Sequence, residues 1–310
     1  MKTILFWTKY NGEQNESLWR NFEVKISPFH FLSLSSHLKF GNEVYLYSYQ
    51  KISGAPDGVI LLDASDLYDS ELAFSALERG HSIAHISDLV RIRAAAHCSG
   101  MILDMDAVSL REMPETEDSI FSSMPAKLLG AFAPKWGKSK PPMPVHDESW
   151  DGKALSSFPV KLCKKTSAPS LKLSNEIELV LQTPPHCGSK SWNFVMWGMK
   201  DIARDCKTAR CVPPIKFAPI PAWTKPGNCF SIESPTRLDG DNELFGYKLP
   251  SIDEIVQESY VVQHFFESAF QNAEEKDVWF WAMLPYDCLL AMEAEHILGD
   301  NWREILTNKN

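Results

Sequence analysis

The sequence has 310 residues, of which 44% are hydrophobic and 23% charged, and its formal net charge is −9 at pH 7. This length is sufficient for one large α/β domain with insertions. The acidic balance, with no basic run longer than Lys164-Lys165, argues against a nucleic-acid-binding surface. The seven cysteines include no Cys-x-x-Cys pair, and their odd number indicates reduced thiols rather than a disulfide framework.

No membrane segment is predicted. The apolar run within Met1–Lys9 is too short for the core of a signal peptide. No later segment approaches the roughly 18 uninterrupted apolar residues that indicate a transmembrane helix. We therefore expect a cytoplasmic protein without a transmembrane segment.

The first fifty residues predict a β-α-β unit. Ile4–Trp7 is a β-branched and aromatic run typical of a buried strand. Ser27 followed by proline predicts the start of a helix that continues to Leu38 and stops at Gly41. Val44–Tyr49 then predicts a second strand, so the chain begins like a nucleotide-binding sheet.

A third strand and a second helix follow. Val59–Leu62 is an apolar run of strand length, and the segment from Leu67 to Glu78 predicts a helix that ends at Gly80. Asp63 and Asp66 lie between the strand and the helix, where aspartates are expected as helix caps rather than as ligands.

A helix is predicted from Ile86 to Cys98, with Ser87 as its cap and Gly100 as its stop signal, because apolar residues recur there at helical spacing. Asp88 and Arg91 are three residues apart, which places them on one face near the start of the helix. The two side chains could therefore contact one ligand together.

The run Met101–Leu103 predicts a buried strand that delivers Asp104 and Asp106 at its carboxyl end. Side chains two apart on an extended backbone point the same way, so both carboxylates would project into the crevice where open α/β sheets bind ligands. Such hard oxygen donors suit Mg²⁺ or Mn²⁺.

The Ser-Asp-x-x-Arg segment 87–91, followed by Asp-x-Asp at 104–106, resembles the donor site of DXD glycosyltransferases of the GT-A fold. The resembled family includes the yeast initiating mannosyltransferase, capsular-polysaccharide sugar transferases and, more distantly, the glucosylating clostridial toxins. Two departures stand out, since Ser99-Gly100 replaces the usual Gly-Gly pair and Ile102 stands where tyrosine is common. All four charged positions of the motif are present.

The resemblance implies a fold and a reaction. The fold would be a Rossmann-like, nucleotide-sugar-binding mixed sheet flanked by helices, in one domain over 1–310. A core over about 1–113 would be followed by an acceptor-side, loop-rich insertion over about 114–250 and a site-completing helical part over about 251–310. The reaction would be transfer of a hexose from a UDP- or GDP-sugar to a glycan, lipid-linked glycan or other hydroxyl acceptor, with retention of configuration.

The resemblance also implies roles for individual residues. The metal ligands would be Asp104, Asp106 and His264, because relatives place a histidine near the carboxyl terminus, four residues before a serine that matches Ser268. Asp88 and Arg91 would bind the donor sugar as catalytic residues. The remaining donor contacts would come from Trp7 or Tyr10 stacking on the nucleobase, from Ser268 and from Asp104.

The rest of the chain gives weaker signals. The region 114–185 has no clear period and predicts loops, with a possible edge strand at Glu176–Leu181. A helix is predicted for Trp192–Arg204, with both tryptophans in the core, and a proline-rich connector for 213–226. The carboxyl-terminal predictions are a short helix at Ile252–Gln257 and a helical tail at Val278–Leu306.

Two other classes of function stay open. A metal-dependent nucleotidyltransferase or phosphodiesterase also uses paired acids at strand ends, but it would require further carboxylates around a second metal. A non-catalytic carbohydrate-binding module would explain the ten tryptophans, but not the ordered acidic and basic motif. The donor base, the sugar and the acceptor are not readable, and modified DNA stays open as an acceptor.

Overall fold

The computed structural model describes part of the chain. The described residues are 1–10, 12, 15–124, 154–185, 192–206, 209–212, 214–217, 243–244, 247–248, 250–263, 281–282, 286 and 288–308.

Strands and helices alternate through the first hundred residues. The strands are β1 (Lys2–Phe6), β2 (Glu23–Lys25), β3 (Glu43–Ser48), β4 (Lys51–Ser53), β5 (Ile60–Asp63), β6 (Gly100–Ile102), β7 (Ala107–Ser109), β8 (Ile120–Met124), β9 (Ala154–Leu162), β10 (Arg210–Val212), β11 (Glu243–Leu244), β12 (Tyr247–Lys248) and β13 (Val261–Gln263). The α-helices are α1 (Glu16–Asn21), α2 (Pro28–Lys39), α3 (Ser70–Glu78), α4 (Ile83–Cys98), α5 (Ser167–Leu181), α6 (Trp192–Asp205), α7 (Pro214–Phe217), α8 (Ile252–Glu258), α9 (Leu289–Leu298) and α10 (Trp302–Thr307). Short 3₁₀ helices span Ala64–Asp66 and Lys164–Thr166.

The central sheet has the strand order β10-β8-β9-β6-β1-β3-β5, and β9 is its one antiparallel strand within the described chain. The chain passes from β1 to β3 and β5 on one side and then returns to β6 on the other side of β1. The strand order therefore reverses between β1 and β6. In open α/β sheets, ligands bind outside the carboxyl ends of the strands at such a reversal.

Both faces of the sheet are covered. Leu5 packs in a core with α2 and the carboxyl-terminal helices α9 and α10. Ile4 and Phe6 pack in a second core with α3, α4, α5 and α6, on the opposite face. The alternation along β1 follows the period of two of an extended strand. The predicted mixed α/β sheet flanked by helices is confirmed.

The predicted β-α-β unit is also confirmed. Helix α2 begins where the sequence indicates, because the Ser27 hydroxyl accepts a hydrogen bond from the His30 N–H and proline occupies the first turn. It ends at Lys39, and Gly41 follows with a φ of 71°. Asp63 caps a 3₁₀ helix as predicted, whereas Asp66 lies inside that helix.

Helix α4 ends at Cys98 as predicted, but its start and the residue that terminates it differ from the prediction. It starts at Ile83 with Ser82 as its cap, so Ser87 lies inside the helix. The residue with positive φ after the helix is Ser99, at 54°, whereas Gly100 belongs to β6. A Cβ atom on Gly100 would lie 2.8 Å from the Lys2 carbonyl oxygen, so this glycine permits close approach of β1 and β6 rather than stopping the helix.

The region 114–185 contains more regular structure than the sequence predicted. Strands β8 and β9 extend the central sheet, and Glu176–Leu181, predicted as an edge strand, is the last part of α5. The buried residues Leu173, Ile177 and Leu181 are four apart, which is helical spacing that the alternation in 176–181 concealed. Helix α7 likewise lies inside the predicted proline-rich connector.

Helices α6 and α8 confirm the predictions for their segments, and α9 and α10 confirm a helical tail, with a break at Gly299. Residues 125–153 and 186–191 of the predicted insertion, most of its residues 207–249, the side chains of Trp192 and Trp197, and residues His264 and Ser268 lie outside what is described. No helix in the described ranges is long and apolar enough to span a membrane.

Candidate functional site

The two acids that follow β6 converge through a turn. The sequence predicted an extended backbone, but Met105 and Asp106 form a turn in which the Ala107 N–H donates to the Asp104 carbonyl at 3.2 Å. The carboxylates still meet, because the Gln263 side chain hydrogen-bonds to both. The expectation that the two carboxylates lie together is confirmed, and the turn is the physical reason.

Arg91 connects helix α4 to the end of β6. Its Nη1 donates to the Leu103 carbonyl at 2.7 Å and to Asp104 Oδ1 at 2.5 Å. Its Nη2 donates to Asp88 Oδ1 at 3.0 Å, and its Nε donates to the Ser87 carbonyl at 3.3 Å. The guanidinium fork therefore holds two carboxylates and two carbonyls in fixed positions.

Asp88, Arg91 and Asp104 differ in their exposure to solvent. Asp88 and Arg91 are 1% and 3% exposed, whereas the Asp104 side chain is 32% exposed. Asp104 is therefore the member of this network that solvent reaches. The roles of Asp88 and Arg91 as direct sugar contacts stay predictions, and their observed contacts are with each other and with Asp104.

The network contains one cation and two carboxylates, and this charge imbalance affects protonation. Burial raises the pKa of Asp88 from 3.8 to about 7, and the Asp104 charge adds to that shift against the opposing effect of Arg91. Burial alone would lower the pKa of Arg91, but the charges of Asp104 and Asp88 raise it above its ordinary value. Arg91 therefore stays charged, while Asp88 titrates near neutral pH.

Gln263 is a site residue that the sequence analysis missed. It ends β13, which pairs antiparallel with β7 so that Gln263 lies opposite Ala107. Its Nε2 donates to Asp104 Oδ2 at 3.2 Å and also to Asp106 Oδ1. The carboxyl-terminal segment thus returns to the acid pair as the resemblance implied, although the predicted ligand His264, the next residue, lies outside the described part.

Trp7 and Tyr10 follow β1, on the other side of the strand-order reversal. The Trp7 ring is partly buried, and its centroid lies 4.1 Å from the ring of His30, an edge contact. Tyr10 makes an edge contact with Phe74, with the centroids 5.9 Å apart. Both are near the carboxyl edge of the sheet, and stacking on a nucleobase stays a prediction for either ring.

The segment after β1 is fixed by a buried amide. Gln50 Oε1 accepts hydrogen bonds from the Thr8 hydroxyl and from the Lys9 N–H, both at 2.7 Å. Gln50 Nε2 donates to the Trp19 carbonyl at 2.8 Å, and the Trp19 indole donates to the Lys9 carbonyl at the same distance. These contacts hold the backbone of residues 8–9 in place beside Trp7 and Tyr10.

The donor set fits a hard divalent cation. Within the described ranges, no group of three His, Cys, Asp or Glu side chains converges on one point, so the acid pair would need further ligands. Gln263 Oε1 is a buried oxygen that has no hydrogen-bond partner among the described residues. Asp104, Asp106 and this oxygen are the ligand types that Mg²⁺ and Mn²⁺ prefer, with positions left for water or substrate phosphates.

A second concave region lies at the carboxyl ends of β3 and β5 and has a volume of about 930 Å³. Its lining includes Arg20, Asp63 and Ser70, and Arg20 donates to Asp63 Oδ2 at 2.9 Å. None of the residues of the acid network lines it.

Together the sheet and the acid network define an α/β protein with two carboxylates that share one amide partner at the carboxyl end of β6, beside the reversal of strand order. No protein-family model matches the chain, and no curated protein sequence matches it. A solved structure, PaToxG Glycosyltransferase, aligns with 64% of this chain and 68% of its own, at 14% identity and a TM-score of 0.36.

Proposed function

We propose that this chain is a metal-dependent glycosyltransferase of the GT-A type, which moves a hexose from a UDP- or GDP-sugar to a hydroxyl acceptor. The observation that carries the proposal is the network that Asp88 and Arg91 of α4 form with Asp104 and Asp106 at the carboxyl end of β6. Every charged position of the motif that suggested the family belongs to this network.

The position of the network supports a nucleotide donor. The reversal of strand order between β1 and β6 is where α/β sheets bind nucleotides. The segment after β1 supplies the aromatic rings of Trp7 and Tyr10, and the segment after β6 supplies the acids. A nucleoside diphosphate has an aromatic base at one end and a diphosphate at the other, which matches this separation of chemistry.

Departure of a nucleoside diphosphate leaves negative charge on its β-phosphate. A divalent cation bound by Asp104 and Asp106 would neutralise that charge. Arg91 would contribute by holding Asp104 in a fixed direction, and Asp88 would hold Arg91. His264 and Ser268 would complete the cation and diphosphate contacts, as the resemblance implies.

The two competing classes of function receive less support. A two-metal phosphodiesterase or nucleotidyltransferase needs more carboxylates than the acid pair, and the described chain offers no third acid at this point. A non-catalytic module has no use for a buried arginine that fixes a solvent-exposed aspartate. The acceptor, whether a glycan, a lipid-linked glycan, a protein or modified DNA, is left open by the site.

The test is release of nucleoside diphosphate from a panel of UDP- and GDP-sugars in the presence of Mn²⁺. We expect one donor to release its nucleoside diphosphate slowly by hydrolysis and faster when an acceptor is added. We expect EDTA to abolish this release. Asp104→Asn and Asp106→Asn should lose nearly all activity while their circular dichroism spectra stay unchanged. Release of pyrophosphate or of a nucleoside monophosphate instead would indicate nucleotidyl transfer or phosphodiester hydrolysis.

A further inference from the structure

We propose that Gln263 has two functions at the acid pair, and this inference rests on the proposed metal-dependent function. Its amide NH₂ group holds Asp104 and Asp106 together before a cation binds. Its amide oxygen then becomes a ligand of the cation. No motif in the sequence singles this residue out, and the assignment comes from its contacts and burial.

The first function follows from the hydrogen bonds of the amide nitrogen. Two neighbouring carboxylates repel each other, and a hydrogen-bond donor between them offsets part of this repulsion. Gln263 Nε2 has two hydrogens, and it donates to Asp104 Oδ2 at 3.2 Å and to Asp106 Oδ1. One neutral group therefore satisfies an oxygen of each acid at the point where a cation would also be attracted.

The second function follows from the amide oxygen. Gln263 is 1% exposed, and its Oε1 is buried with no hydrogen-bond partner among the described residues. Leaving a buried oxygen without a hydrogen bond is unfavourable, so a fold that keeps one is expected to use it. A rotation of the amide by half a turn about the Cγ–Cδ bond exchanges the nitrogen and the oxygen and directs a hard oxygen ligand to the acids.

The backbone allows this rotation without rearrangement. The strand that carries Gln263 is paired with β7, and its residues Val261 and Val262 are 1% and 0% exposed. Only the terminal torsion of the side chain needs to change, and such torsions have broad, roughly two-fold energy profiles. The same rigid strand therefore presents either a donor or an acceptor to the acids.

The test is a titration of the full chain with Mn²⁺, in which binding is measured from the electron paramagnetic resonance signal of the free Mn²⁺ that remains. We expect Gln263→Leu, which keeps the volume but removes both amide functions, to weaken Mn²⁺ binding by roughly 10–100-fold. Gln50→Leu is the matched control, because Gln50 is also a buried amide but contacts Thr8, Lys9 and Trp19 rather than the acids. It should leave the dissociation constant for Mn²⁺ unchanged.

A second readout separates ligation from support of the fold. The side-chain NH₂ resonances of Gln263, assigned by their loss in Gln263→Glu, should shift when Mg²⁺ is added, because the amide releases the acids. An unchanged NH₂ shift, or equal Mn²⁺ affinity of wild type and Gln263→Leu, would overturn the role of Gln263 and leave the proposed function intact. Failure of the wild type to bind Mn²⁺ would contradict the metal site itself and hence both proposals.

Discussion

Arg91 Nη1 lies 2.5 Å from Asp104 Oδ1, and the same nitrogen donates to the Leu103 carbonyl at 2.7 Å. A residue in the middle of helix α4 thus fixes both the backbone and the side chain at the end of β6. Asp104 Oδ1 is engaged by arginine and Oδ2 by Gln263, so the direction of this carboxylate is set from two sides. The acid pair is therefore preorganised by groups that lie beneath it.

Arg91→Lys should impair transfer by about tenfold or more. Lysine keeps the charge but cannot donate to Asp88, Asp104 and Leu103 from one planar group, and each lost charge-assisted hydrogen bond is worth roughly 1.5–3 kcal/mol. The measurement is kcat/KM for the donor, with thermal unfolding in parallel. Arg93→Lys is the control, because Arg93 lies two residues further along the same helix and bonds to Glu178 instead.

If Arg91→Lys and Arg93→Lys had equal effects on kcat/KM, the special position of Arg91 under the acid pair would be contradicted. A loss of stability alone, with normal turnover below the unfolding temperature, would limit Arg91 to a role in folding.

Asp88→Asn should change how stability depends on pH. The pKa of Asp88 is raised from 3.8 to about 7, so the folded protein keeps this proton at pH values where the unfolded chain has lost it. The stability that this bound proton contributes is present at acid pH. It is lost as pH rises from 3.8 to about 7, at up to about 1.4 kcal/mol per pH unit. Asparagine removes the titration, so the variant should show a smaller decline between pH 4 and about 7.5.

The measurement is urea unfolding at several pH values, with Asp201→Asn as the control. Asp201 is an exposed aspartate on α6, with 60% of its side chain accessible, and its replacement should preserve the wild-type decline. If Asp88→Asn kept the wild-type decline in the free energy of unfolding with pH, a group other than Asp88 would cause that decline.

Two substitutions at the junction of α4 and β6 should change the free energy of unfolding in opposite directions. Gly100→Ala should destabilise by about 1–3 kcal/mol, because its Cβ would lie 2.8 Å from the Lys2 carbonyl oxygen. Ser99→Gly should stabilise by roughly 1 kcal/mol, because Ser99 has φ 54° and ψ 144°, near a conformation adopted almost only by glycine. Chemical denaturation of both variants measures the change in the free energy of unfolding. Destabilisation by Ser99→Gly as well as by Gly100→Ala would contradict the strain assigned to Ser99.

His264→Ala should weaken Mn²⁺ and donor binding together by about tenfold or more, since the residue follows Gln263 directly in the chain. A metal ligand must be a neutral imidazole, so wild-type activity should fall at acid pH, and the variant should lose part of that dependence. His97→Ala, at an exposed position of α4, is the control. Normal Mn²⁺ affinity in His264→Ala would remove this residue from the predicted ligand set.

Local signals in the sequence were sufficient for part of the fold. The Ser27-Pro28 start of α2 was predicted correctly because the cap uses atoms within three residues of each other. Ser87 was predicted as the cap of α4, whereas the chain uses Ser82, five residues earlier. At Glu176–Leu181 the apolar residues alternate, and only packing against the helices α4 and α6 distinguishes helix from strand.

The acid network shows a similar division. Its charged members were found because their spacing matches a known motif. Gln263 was missed because nothing local distinguishes it from other glutamines, and its role depends on the pairing of β13 with β7, which brings together residues more than 150 positions apart. The turn at Met105 and Asp106 was also missed, because the spacing of the two acids was interpreted as that of an extended backbone.

A crystal structure of the full chain with Mn²⁺ and UDP or GDP tests the central proposal most directly. We predict an anomalous peak within about 2.0–2.2 Å of a carboxylate oxygen of Asp104 or Asp106, with the diphosphate on the ion and the base on the side of Trp7 and Tyr10. Nucleotide bound in the 930 Å³ region at the ends of β3 and β5, or an ion bound away from both acids, would contradict the proposal.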